Sequence, residues 1–318
     1  MPMIKIKVIG VGGSGGNAVL RMKKAKIKGV ELVAINTDYQ DLKKTKADLK
    51  LRIGKKITQG LGTGMKPEVG ELAAKENIED IRQILRGGDL IFITYGAGGG
   101  TGSGAGPVVA EIAKELGVLT IAVVTKPFSF EGQTRMRIAE AGIERLRKNV
   151  DSLICIKNDK LLEILDLKIS IISAFWFCDD ILREAVRGIS DLITLPGIIN
   201  INFADIKTIL KNSGTALFGI GRARGQNRGE VAARLALNSP LLNLNPKGAK
   251  GVLFNVSGGD VSLSEIEEIG KILTKEINPD AKVIFGAVQD EKPAPYRTRS
   301  SAGLKKGEIK VTVIATGF

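Results

Sequence analysis

Along its first half the chain alternates short apolar runs with segments of helical periodicity. Strand-length runs fall at residues 5–9, 31–35, 89–94, 119–125 and 152–156. Between and after them, helical patterns fall at 17–24, 38–45, 67–85, 102–116 and 133–148. The stretch 67–85 places Leu72, Ile78, Ile81 and Leu85 on one stripe and predicts a single long helix. Strand and helix alternating over short connections predict a parallel, doubly wound sheet. The near-continuous apolar run IFIT at 91–94 fits a strand covered on both faces.

Residues 171–195 read as one long helix joining two halves, with no internal Gly or Pro before Gly188 and a stop at Pro196–Gly197. Beyond it, helical patterns at 205–210, 229–238 and 262–277 mix with strand-like runs at 251–256, 282–288 and 309–315. Ser262 opens the last helix in the manner of a capping box. This half predicts a smaller α+β domain with a mostly consecutive sheet. The domain plan is therefore 1–170, a connecting helix over 171–195, and 196–318.

Composition narrows the class. No apolar run reaches the roughly 20 residues of a membrane helix, and the N-terminus enters a strand without a signal-peptide pattern. With no His and two isolated cysteines, Cys155 and Cys178, a zinc site is not expected. Both cysteines read as small buried residues of a reducing cytosol. The net charge of +13 admits nucleic acid or an anionic membrane as partner. One Trp and three Tyr leave few platforms for stacking bases, so a lysine-rich solvated surface is the simpler reading. The stretch 291–308, with Lys292, Arg297, Arg299, Lys305 and Lys306, reads as an exposed basic loop.

Two glycine clusters follow predicted strands. GVGGSGGN, from Gly10 to Asn17, satisfies G-x-G-x-x-G, which permits a tight turn and close backbone approach to a phosphate. Alone it also fits a dinucleotide-binding fold, with Asp38 as the acid after the second strand. The second cluster, GAGGGTGSGAG from Gly96 to Gly106, has seven glycines in eleven residues and opens a helix. Such density lets successive N–H groups converge on an anion, and Thr101 and Ser103 add hydroxyls. It contains no Lys, so it is not a Walker A loop. Two phosphate-facing loops suit a nucleoside di- or triphosphate better than NAD. A hydride-transferring enzyme would also lack a His for proton transfer.

GAGGGTGSG resembles the signature of the tubulin/FtsZ GTPase family, to which the bacterial cell-division proteins belong. IGVGGSGGNAV, AINTD, QGLGTGMKPEVG, VVTKPFSFEGQTR, NDKLLEIL, LPGIININFADIKTIL and KVTVIATGF extend the resemblance over residues 4–318. It implies GTP and GDP as ligands, with Mg2+ carried by the nucleotide and no protein-built metal site. Gly12, Gly13 and Ser14 would line the diphosphate and Asn17 the ribose–base side. Gly62, Thr63 and Gly64 would approach the γ-phosphate, and Gly98, Gly99, Gly100, Thr101, Gly102 and Ser103 would cradle the phosphates. Glu131 would meet the ribose hydroxyls, Arg135 the ribose–phosphate region and Phe175 the base. Asp180 would accept from guanine N1 and N2.

The resemblance also implies hydrolysis between subunits, by a loop here reading Asn200-Ile201-Asn202-Phe203-Ala204-Asp205. The family pattern N-x-D-F-A-D has an acid where Asn202 stands. Asp205 keeps the final acid, while Asn202 gives up a charge that could hold a cation or polarise water. Slow hydrolysis with intact nucleotide binding is expected. Further implications are head-to-tail filaments, a ring at the division site in the cytoplasm, division-machinery partners and only indirect membrane attachment. The sequence stops where the family's globular core ends, before the usual linker and tether peptide, so either it is truncated or the protein attaches differently. The basic loop 291–308 is then a candidate contact for anionic lipid, nucleic acid or a neighbouring filament, although no specific nucleic acid is expected. The competing reading is a GTP-binding switch or filament protein with little hydrolysis and a role outside division.

Overall fold

In the computed structural model the structure describes residues 4–162, 170–194, 199, 201–239, 248–275, 277–289 and 307–318. Asn200 and nearly all of the basic loop, residues 291–306, lie outside the described residues. The chain divides into two compact units, Met1–Arg187 and Gly188–Phe318.

The first unit opens with β1 (Ile6–Val11), α1 (Gly12–Lys24), β2 (Val30–Asn36), α2 (Tyr39–Lys44) and β3 (Leu49–Arg52). It continues through α3 (Lys55–Thr58), α4 (Pro67–Glu76), α5 (Ile78–Leu85), β4 (Leu90–Gly96) and α6 (Gly100–Glu115). Then come β5 (Leu119–Lys126), a 3-10 turn at Ser129–Glu131, α7 (Gln133–Arg147), β6 (Ser152–Lys157) and α8 (Asn158–Leu162). The sheet order is β3-β2-β1-β4-β5-β6, all parallel. Its central strand β4 is buried on both faces: Ile91, Phe92 and Ile93 are inaccessible to solvent, as the IFIT run predicts.

The expected single helix over 67–85 is two helices meeting at Asn77 (φ −119°, ψ 30°). The Asn77 side chain explains the break. Its carbonyl accepts from Gly54 N–H at 2.9 Å and its amide donates to Asp80 at 2.7 Å. An Asn that bonds backbone and side chains this way competes with the helix ladder. The apolar stripe continues across the break, so periodicity alone cannot reveal it. Strand β3 has no alternating pattern strong enough to stand out: Lys50 and Arg52 alternate with Leu49 and Leu51 at a sheet edge.

Helix α9 (Ile171–Thr194) carries the long helical pattern and straddles the division between units. The second unit adds α10 (Phe203–Leu210), β7 (Gly214–Arg224), α11 (Arg228–Leu237), β8 (Gly251–Gly258), α12 (Leu263–Lys275), β9 (Lys282–Gln289) and β10 (Glu308–Thr316). The sheet order is β7-β10-β8-β9, so the last strand inserts between β7 and β8. The sheet is therefore mixed rather than consecutive: β7/β10 and β10/β8 are antiparallel and β8/β9 parallel. Strand β7, GTALFGIGRAR, is masked in the sequence by three glycines. One of them, Gly221, is required by packing, since a β-carbon there would lie 1.9 Å from the Ala232 carbonyl oxygen. Helix α11 rests directly on the strand, closing a core of Leu217, Ala232, Ala236, Phe254, Val311 and Leu273.

Close approach is also how α4 meets α6. A β-carbon on Gly104 would sit 2.0 Å from the Pro67 carbonyl oxygen, and one on Gly70 would sit 2.3 Å from that of Gly100. No helix among the described residues is long and apolar enough to cross a membrane. Gly104→Ala is expected to lower unfolding stability by about 2–4 kcal/mol, because the contact is with backbone that cannot yield. Urea titration checks it; a loss below about 0.5 kcal/mol would mean that α4 can move aside.

Candidate nucleotide site

The site begins where β1 ends. Helix α1 starts at Gly12, immediately after the strand, with Gly12 in the left-handed region at φ +72°. A β-carbon on Gly10 would fall 2.3 Å from the Gly15 carbonyl oxygen, and one on Gly15 would fall 2.6 Å from that of Thr94. The turn therefore lies flat against β4 with no side chain between. Ser14 ties it to the second cluster, its Oγ accepting from Gly96 N–H at 2.7 Å.

The second cluster divides into two jobs. Gly98 turns at φ +101° and its N–H donates to Ser103 Oγ at 2.9 Å. Helix α6 starts at Gly100, two residues before the sequence pattern places it. Gly99, Gly100, Thr101 and Gly102 border a cleft, while Gly104 and Gly106 pack the helix onto α4 and onto the Tyr95 ring. Thr101 Oγ1 is held 2.7 Å from Thr37 Oγ1.

The cleft encloses about 390 Å³, within the range of small-molecule sites. Of the residues expected there, Gly12, Gly13, Ser14, Asn17, Thr63, Gly99, Gly100, Thr101, Gly102, Glu131, Arg135 and Phe175 line it. Gly98 and Ser103 stand behind the lining and brace it. Gly62 and Gly64, at φ +80° and +56°, flank Thr63 and shape its turn. Glu131 accepts from Phe128 N–H at 2.8 Å and pairs with Arg135. Phe175 packs edge-on against Phe128, ring centroids 5.5 Å apart. Asn202 and Asp205 belong to the second unit, where Asn202 precedes α10 and both side chains are exposed.

Asp180 is not where the sequence reading puts it. The carboxylate lining the cleft is Asp179. With about 100° of rotation per helical residue, position i+4 lies about 40° from Phe175 and position i+5 about 140° away. Asp180 instead accepts from Arg183 Nε at 2.8 Å, and the same guanidinium reaches Glu184 at 2.7 Å. Asn158 also lines the cleft, and its Oδ1 has no partner among the described residues. The sequence signal for it is the NDKLLEIL motif that Asn158 opens.

Comparison with known proteins fits this geometry. Residues 5–166 match the family model described as "Tubulin/FtsZ family, GTPase domain", and residues 214–318 match "FtsZ family, C-terminal domain". Solved structures of M. jannaschii FtsZ are similar over nearly the whole chain. An empty dimer is 44% identical with TM-score 0.91, covering 99% of this chain and 88% of that one. A W319Y mutant is also 44% identical, with TM-score 0.92 and coverage of 99% and 91%. The chain belongs to the tubulin/FtsZ family. CetZ2 from Haloferax volcanii, in a GTPgS-bound protofilament, shares the fold at 20% identity and TM-score 0.81, covering 98% and 92% of the two chains.

In this FtsZ-family GTPase the acid at the cleft is electrostatically unusual. Burial pushes the Asp179 carboxyl up to about 6, against the pull of Arg21, whose Nε donates to it at 3.0 Å. The neighbouring Cys178 thiol is pushed up to about 12, chiefly by burial, and stays protonated. Cys155, half-buried, is raised for the same reason.

The folded protein therefore holds the Asp179 proton more tightly than the unfolded chain, where a carboxyl titrates near 3.9. The resulting contribution to stability is complete below about pH 4 and lost as pH rises through about 6. Asp179→Asn is expected to remove it. Unfolding measurements from pH 4 to 7.5 should show the variant gaining on the parent by of order 2 kcal/mol as pH rises. Parallel profiles would contradict the assignment.

Proposed function

We propose that this cleft binds GTP and GDP, and that GTP is hydrolysed when a second copy completes the site. The observation that carries the proposal is the convergence of two helix N-termini, at Gly12 and Gly100, on a cleft whose wall includes Phe175, Asn158 and Asp179. Helix N-termini present unpaired N–H groups and a positive dipole end, both favourable to phosphates. Gly12, Gly13 and Ser14 would take the diphosphate, and Gly99 to Gly102 the phosphates beyond it, with Gly98 and Ser103 holding the loop in shape. The turn Gly62, Thr63 and Gly64 would meet the γ-phosphate. Asn17, Glu131 and Arg135 would hold the ribose side, and Phe175 the base. Asp179, in place of Asp180, would accept from guanine N1–H and N2–H, a donor pair that adenine lacks. Asn158 would bond the same base through its unpartnered oxygen. Mg2+ would arrive on the phosphates and offset their charge.

Asn202 and Asp205 stand at the exposed start of α10, with Asp205 N–H bonded to the Asn202 carbonyl at 3.0 Å. From there, together with Asn200, they would act on nucleotide held by another copy. A catalytic face and a nucleotide face on different parts of one chain make a heterologous contact, which propagates into head-to-tail filaments. The functional plan is thus a nucleotide domain over 1–170, the connecting helix 171–195, and the hydrolysis-loop domain 196–318. Cytoplasmic filaments forming a division-site ring with other division proteins are the leading cellular role. Asn202 favours one alternative, a filament or switch with little hydrolysis and another role.

The nucleotide copurifying with the protein should be GTP or GDP; a purely adenine-containing ligand would overturn the reading. Guanine nucleotide affinity should fall about tenfold per pH unit below about 6, as Asp179 takes up its proton. Calorimetric titration of GDP at pH 5 and 7 tests this, and equal affinities would count against Asp179 as the base reader. Asn202→Asp should raise GTP turnover by roughly tenfold or more with GDP affinity unchanged. Unaltered turnover would remove Asn202 as the cause of slow hydrolysis.

A further inference from the structure

Behind the cleft wall, Arg21 and Trp176 form an arrangement to which the nucleotide contacts give no role. Asn17 and Arg21 lie one turn apart on α1, and Phe175, Trp176 and Asp179 share the facing end of α9. Asn17, Phe175 and Asp179 line the cleft, whereas Arg21 and Trp176 do not. Arg21 Nε donates to Asp179 Oδ2 at 3.0 Å, and both side chains are mostly buried. The Arg21 guanidinium lies 4.4 Å over the Trp176 ring. A planar cation stacked on an indole is fixed in orientation as well as in place. Its bond to Asp179 takes only one of the two carboxylate oxygens.

We propose that Arg21, clamped on Trp176, is a positioning residue for guanine specificity: it aims the Asp179 carboxylate into the cleft and keeps it ionised there. The proposal rests on the reading of Asp179 as the base acceptor. Without the cation, a carboxylate in this surrounding would be pushed further toward its neutral form. Burial and the like charge of Asp180 both press it toward the neutral form, and Arg21 is the cation opposing them. On the same cleft wall Glu131 pairs with Arg135, and the Cys178 thiol is neutral. A protonated Asp179 would present a donor to the guanine N1–H and N2–H donors. Arg21 thus serves the base without touching it, through charge and orientation together.

The test compares binding of GDP and of IDP, which lacks the exocyclic amine, between pH 5 and 8. The parent, Arg21→Gln, Arg21→Lys and Asp179→Ala are measured, each checked for an intact thermal transition. Arg21→Gln should weaken GDP by roughly tenfold or more and IDP by less. It should also move the pH midpoint of GDP binding up by at least about one unit. Arg21→Lys should restore part of both effects, since it returns the charge without the fork. Equal losses for GDP and IDP with an unmoved midpoint would make Arg21 merely structural and overturn the proposal. If Asp179→Ala leaves the GDP-to-IDP ratio unchanged, the base reading itself fails and takes the proposal with it. If Asp179→Ala collapses the ratio while Arg21→Gln does not, only the positioning role fails.

Discussion

Backbone contact without intervening side chains is the constraint from which the nucleotide cleft follows. Gly10 against Gly15, Gly15 against Thr94 and Gly100 against the Thr63–Lys66 turn leave no room for a β-carbon. Because of these contacts, α1 and α6 begin at the strand ends β1 and β4, which are neighbours in the sheet. Two helix N-termini then face the same space, and their unpaired N–H groups need an acceptor. An anion supplies one. The packing that holds the sheet together and the chemistry that receives a phosphate are therefore the same feature seen from two sides.

The opposite end of the cleft works by the reverse logic. There, carboxylate, amide and aromatic side chains are partly desolvated, which makes hydrogen bonding selective because an unmatched partner leaves a buried group unsatisfied. Desolvation also makes a carboxylate reluctant to ionise, and Asp179 shows that tension in its raised pKa beside an arginine. Backbone donors and the Asp179 carboxyl occupy different parts of the cleft wall. A change at one end can leave the other intact. Asn202 lies in the second unit, on the exposed start of α10, and is not among the residues that line the cleft.

Much of the fold was open to reading along the chain. In the first unit, strands buried on both faces write themselves as apolar runs, and helices that cover them write themselves as amphipathic periods. That is why β1, β2, β4, β5 and β6, their parallel pairing and most of the helices between them are legible. Elements whose stability is conferred from outside are not. Strand β7 has a glycine at 221 where α11 presses on it, and β3 is an edge strand with charged alternate residues. The break at Asn77 depends on Gly54, a partner 23 residues away.

For the site, the glycine clusters, the Glu131–Arg135 pair and Phe175 were determined by the sequence, because family-like motifs and turn chemistry are local properties. The sequence also carried Asn202, an amide in the expected hydrolysis loop. Only tertiary structure could divide the second glycine cluster into phosphate-facing and packing halves, since both need glycine for different neighbours. Only it could choose between Asp179 and Asp180. The two are adjacent and chemically identical, and the choice rests on about 100° of helix rotation and on which arginine each one meets. Helix phase relative to a cleft is a property of packing, not of composition, and there the sequence had no means of deciding.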